Sequence, residues 1–201
     1  MTYRIISTFD GSLTNCSLSE LSSQLKINSI LCELNADDTI IDSWPLVHST
    51  LVTFAVQFAD YALKNYTQKK IPEAETCIAL TRQWLKNAHS VSNEELQVAA
   101  NAAYDAAHAV VGVGLGGDGR AGAAAHAANA AYDAAHAAAH AAHAANAAYD
   151  AAHAAAHAAH AAAYAAYDAG KSREAELIRQ GEFIVEYLRA AAALSCDKSA
   201  A

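Results

Sequence analysis

Three residue patterns in this chain have the types and spacing that chemistry uses. His136, His140 and His143 form H-x3-H-x2-H, and His153, His157 and His160 repeat it. Spacings of three and four place imidazoles on one face of a helix. Two such faces could hold Zn²⁺, Ni²⁺ or Cu²⁺. Tyr-Asp-x-x-His recurs at 104–108, 132–136 and 149–153, which lets each aspartate orient an imidazole or raise its basicity. Gly112, Gly114 and Gly117 spell G-x-G-x-x-G, which binds a dinucleotide only between a strand and a helix.

Each pattern has a plainer explanation. The tract from which metal would be ligated contains no cysteine, and the histidines were copied together, because 129–145 and 146–162 are identical 17-residue blocks. No metal site is therefore expected. No Ser, Thr or Cys occurs between Ser92 and Ser172, so a His–Asp pair there has no nucleophile to activate. The chain is not expected to be an enzyme and needs no cofactor. The glycine motif follows a helical pattern and has no Walker lysine after it, so residues 110–122 are expected to form a loop between helices.

The elements that would carry these residues are set by alanine. Across residues 121–169, 32 of 49 positions are alanine, the best helix former. One helix over 123–168 would be about 69 Å long, well beyond the roughly 40–45 Å diameter of a compact 200-residue domain. The polar stripe also rotates by about 100° between the two copies. Two antiparallel helices with a break near 144–148 are expected, with Asn146 capping the second.

Elsewhere, Ser17 and Glu20 form a capping box for a helix over 17–25. Pro45 suits the first turn of a helix to about residue 66, and Pro72 that of the next. Ser92 and Glu95 start a helix to about 108, and 171–193 forms a last amphipathic helix. Residues 2–8 read as either a short strand or an ordered arm. The expected fold is thus all-α, a compact helical bundle with alanine-rich helices. Its expected division is an N-terminal helical or irregular segment, 1–44, and an alanine-rich helical domain, 45–201.

Charge narrows the function. Net charge is −8, and there is no Lys or Arg between Arg120 and Lys171, so nucleic-acid binding lacks its basic surface. The alanine tract is broken by His, Asn and Asp too often to span a membrane. The cysteines at 16, 32, 77 and 196 have no metal or redox spacing, and the polar opening stretch is not expected to be a signal peptide. The chain is expected to be cytoplasmic.

From Thr53 onward the sequence resembles a known family. FAVQFADYALKNY, LTRQW (Leu80 to Trp84), the alanine- and histidine-rich stretch to HAAHAAAYAAYDA, and REAELIRQGEFIVEYL together resemble the alanine-rich, all-helical immunity proteins of bacterial polymorphic-toxin systems, over residues 53–188. The resemblance implies an inhibitor that binds a cognate toxin and has no catalytic apparatus. Two further readings stand beside it: a phage-encoded antagonist of a bacterial defence-complex subunit, acting by the same steric occlusion, and a metal-binding helical bundle using the histidine repeats. The expected protein-binding surface is the repeated stripe of Tyr132, Asp133, His136, Tyr149, Asp150 and His153. The sequence leaves the oligomeric state open.

Protein purified without a histidine tag is expected to carry substoichiometric transition metal by mass spectrometry of its metal content. One tightly held equivalent, lost on His140→Ala/His157→Ala, would reverse that expectation.

Overall fold

In the computed structural model, residues 2–8, 11–25, 29–66, 70–113, 119–139 and 144–198 are described. The described residues are mostly helical, with a four-stranded antiparallel sheet at the N-terminal end. The strands are β1 (Thr2–Ser7), β2 (Leu13–Cys16), β3 (Ser29–Leu34) and β4 (Ile40–Leu46), in spatial order β2-β1-β3-β4. Seven helices are described: α1 (Leu18–Leu21), α2 (His48–Tyr66), α3 (Pro72–Lys86), α4 (Asn93–Val113), α5 (Gly119–Ala139), α6 (Ala144–Asp168) and α7 (Arg173–Lys198).

The sheet is where the structure departs from an all-helical expectation. Pro45 lies in β4, opposite Ile30, not in a helix. Proline lacks a ladder donor, so it is confined to edge strands, and β4 is an edge. The helix begins three residues later, at His48. Tyr3, Ile5, Cys16, Leu31, Trp44 and Leu46 are buried and join the main apolar cluster. Glu33 sits among them, only 3% exposed. It is matched by Arg189 of α7, whose Nη2 donates to Glu33 Oε2 at 2.5 Å.

The expected helix over 17–25 shortens to the single turn of α1. Its capping box forms, with Ser17 N–H donating to Glu20 Oε2 at 2.9 Å. Ser23 N–H and Gln24 N–H then bond three residues back, to Glu20 and Leu21, which tightens the turn and ends it. α1 packs on α7 at Gly181, where a Cβ would overlap the Leu18 carbonyl oxygen.

α2 is the central helix and packs against α3, α5 and α6. Leu51, Phe54, Ala55, Phe58 and Ala62 are fully buried along it. Phe54 meets Phe183 and Tyr187 of α7 edge to face, at 6.1 and 5.5 Å between centroids. Asp60 is bridged by Arg82 of α3 at 2.8 Å and by Lys64 at 2.7 Å. α3 starts at Pro72 and α4 at the Ser92–Glu95 box. α4 extends past 108, to Val113, and so takes in Gly112; residues 114–118 lie outside the described residues.

The alanine region folds back as two antiparallel helices, α5 and α6. Pairs along them sum to a nearly constant residue number: His126 meets Asp168, and Asp133 meets His157. α5 ends at Ala139 and α6 begins at Ala144, so Asn146 lies inside the first turn of α6 and is not its cap. Residues 140–143, including His140 and His143, lie outside the described residues.

Alanine controls how these helices meet. Ala127, Ala128, Ala130, Ala131, Ala134 and Ala135 of α5 are fully buried. The backbone itself is reached by neighbours: the Cys77 thiol donates to the Ala131 carbonyl at 3.2 Å, and Gln180 Nε2 to the Ala159 carbonyl at 3.1 Å. Enlarging a buried methyl there is expected to cost about 1–3 kcal/mol. Urea denaturation of Ala131→Leu and Ala155→Leu should show this loss. Ala109→Leu, at an exposed position of α4, should stay within about 0.5 kcal/mol of wild type. Equal midpoints for all three would refute tight packing of α5 and α6.

Candidate functional site

The large side chains of the alanine helices have one place to go. Inward positions are taken by methyl groups, so among the described residues Tyr, His and Asp side chains collect on the outer seam. There α4, α5 and α6 form an open groove of about 610 Å³. α4 supplies Tyr104. α5 supplies His126, Asn129, Tyr132 and Asp133, and α6 supplies His157, His160 and Tyr164.

Its aromatic contacts are short. The rings of Tyr104 and Tyr132 lie 5.3 Å apart, and Tyr104 packs on His108 at 4.3 Å. At the other end His126 stacks on Tyr164 at 5.4 Å, and the Arg173 guanidinium lies 4.7 Å from the Tyr164 centroid. His126 Nε2 stands 3.7 Å from Asp168 Oδ2. Burial, then the nearby Arg173, holds the His160 imidazole below its ordinary pKa.

Asp133 is the most perturbed group in the groove. Its side chain is 21% exposed, and burial alone pushes its pKa up to about 7. His157 Nδ1 stands 3.9 Å from Asp133 Oδ2, beyond hydrogen-bond reach. Burial raises the Tyr132 hydroxyl above its usual pKa, and the Asp133 charge adds to this.

Of the stripe expected from sequence, Tyr132 and Asp133 line this groove, and His136 packs against Tyr132 at 5.4 Å. Tyr149, Asp150 and His153 belong to the backbone of α6, but their side chains lie outside what the structure describes. Tyr104, His126, Asn129 and Tyr164 were not among the expected site residues. The antiparallel fold-back brings His126 and Tyr164 together, although both lie outside the two 17-residue copies. Among the described residues no group of three or more His, Cys, Asp or Glu is placed to hold a metal ion. No helix among them is long and apolar enough to cross a membrane.

A second groove of about 630 Å³ lies between α3 and α4, lined by Leu80, Val98 and Ala102. Of its rim carboxylates, Glu95 is committed to the Ser92 cap. Comparison with known protein families, with curated proteins and with solved structures finds no match to this chain.

The Asp133 shift makes a stability prediction. The folded protein keeps the proton up to about pH 7, whereas the ordinary aspartate pKa is 3.8. Between those values the folded state binds more protons than the unfolded chain, so this group's contribution to stability falls as pH rises. Asp133→Asn removes the contribution. At pH 4 the variant should match wild type within about 0.5 kcal/mol, and at pH 8 it should be more stable by about 1–3 kcal/mol. Equal stability at pH 8 would place this carboxylate in solvent.

Proposed function

We propose that this chain is a protein-binding inhibitor of the immunity-protein kind, which occludes a cognate partner with the face formed by α4, α5 and α6. The partner in this reading is a toxin or a defence-complex subunit, and the neighbouring gene would distinguish the two. One observation carries the reading. Tyr104, Tyr132 and Tyr164 line one open groove that Ala156 and Ala161 also line. Tyr104 and Tyr164 are 44% and 43% exposed.

Protein interfaces draw most of their energy from a few aromatic anchors set among near-neutral contacts. Ala156 and Ala161 provide such contacts in the groove, since alanine lets a partner approach the backbone closely and loses no side-chain entropy on binding. The resemblance over residues 53–188 agrees with this reading. A binding face needs no nucleophile, and the reading assigns no catalytic residue.

The competing surface is the acidic turn between β3 and β4. There Asn35 Oδ1 accepts from the Asp37 and Thr39 amides, and Asp38 has a positive φ of 61°. The partner is first identified by native-cell pull-down and mass spectrometry, then the complex is rebuilt from purified components. Tyr132→Ala is expected to weaken it by about 2 kcal/mol or more. Asp37→Ala/Asp38→Asn, which keeps a residue tolerant of the left-handed backbone at 38, should leave it unchanged. Loss with the second variant alone would make the alanine helices scaffold only.

A further inference from the structure

We infer that the groove receives the guanidinium of an arginine carried by the partner, with the Asp133 carboxylate as counter-ion and the Tyr132 and Tyr104 rings as walls. The inference rests on the protein-binding reading above and names the chemistry of its central contact.

Tyr132 and Asp133 are consecutive on α5, and both line the groove. Tyr104 faces them from α4, its ring 5.3 Å from that of Tyr132. A guanidinium is planar, stacks on aromatic faces and donates two parallel N–H groups to one carboxylate. An ammonium offers a point charge and no plane, so this arrangement favours arginine over lysine.

Among the described residues, the chain joins the same three kinds of group elsewhere. The Arg179 guanidinium carbon lies 3.4 Å from the centroid of the Tyr61 ring. Its Nε and Nη2 donate to the two oxygens of Glu176 at 2.8 and 2.6 Å, and Glu176 is 2% exposed. A tyrosine ring, a buried carboxylate and an arginine thus form one unit between α2 and α7. At Asp133 the ring and the half-buried carboxylate recur on α5, a helix with no Lys or Arg after Arg120.

Among the described residues, the titratable groups around Asp133 do not replace such a cation. From α6, His157 stands 3.9 Å away, and His160 has a depressed pKa. From α4 comes the phenol of Tyr104. α5 itself contributes Tyr132 and His126 to the groove, with His136 one turn beyond Asp133. Arg173 is placed over Tyr164, at the other end. Burial keeps Asp133 protonated up to about pH 7, so an arriving guanidinium would ionise it, release a proton below that pH, and bind more tightly at pH 8 than at pH 6.

The test titrates the full-length protein at pH 8 with N-acetylarginine amide, with its neutral isostere N-acetylcitrulline amide and with spermidine, followed by NMR. Saturable shifts at Tyr104, Tyr132 and Asp133 are expected with the arginine amide, at least about tenfold tighter than with citrulline. Asp133→Asn should weaken arginine binding roughly ten- to a hundredfold while keeping the fold. Equal binding of arginine and citrulline, no response at these residues, or arginine binding unchanged in Asp133→Asn would each overturn the inference. Spermidine binding more than tenfold tighter than arginine amide would overturn it in favour of a small polyamine. In the rebuilt complex, full affinity with Asp133→Asn but loss with Tyr132→Ala would sink the arginine contact and leave the protein-binding reading standing. Arginine amide binding at the groove, with the partner unaffected by either variant, would overturn both the partner's arginine and this face as the interface.

Discussion

Close approach of alanine helices is the constraint on which the rest of this molecule depends. A buried methyl contributes little, about 0.8 kcal/mol per carbon, so α5 and α6 cannot supply a deep core of their own. What alanine permits is proximity. The backbone carbonyls of Ala131 and Ala159 are within reach of side chains on α3 and α7. Conventional apolar burial is left to the flanks: the sheet, and α2 and α7, which are joined through Phe54, Phe58, Phe183 and Tyr187.

The same constraint makes the groove. Where inward positions are methyl-sized, any larger side chain must stand on the outer seam, and three helices meeting closely leave those side chains half-buried. Burying carboxylates is costly unless they are paired, and the chain meets that cost in two ways. Glu33 and Glu176 each face an arginine across a short bond. Asp133 has a histidine at 3.9 Å instead, and its pKa rises to about 7. This difference separates carboxylates held in short ion pairs from one that burial leaves with a raised pKa.

Much of the helical part was legible in the sequence because its signals are local. Pro72, the Ser92–Glu95 box and the phase of the duplicated block mark α3, α4 and the α5–α6 hairpin. The sheet was not. Residues 29–34 (SILCEL) are a short apolar run, and such runs have no periodicity that tells strand from helix. Pro45 carries the same signal at a helix start as on an edge strand. The candidate site was legible only as a stripe. That Asp133 is half-buried follows from how near α4 and α6 come, which is tertiary information, and the same holds for the meeting of Tyr104 with Tyr132 and of His126 with Tyr164.

The fold-back of the duplicated block creates the groove, so its geometry is the most direct thing to measure. Nitroxide labels at His126 and Tyr167 lie near the His126–Asp168 contact, and pulsed electron–electron resonance reads the distance between them. An antiparallel α5–α6 pair places the labels within about 25 Å, allowing for neighbouring helix axes and the label arms. A continuous alanine helix through both copies would separate them by about 62 Å, at 1.5 Å per residue. A distribution centred near the longer distance would leave Asp133 on a solvated stripe with no groove around it.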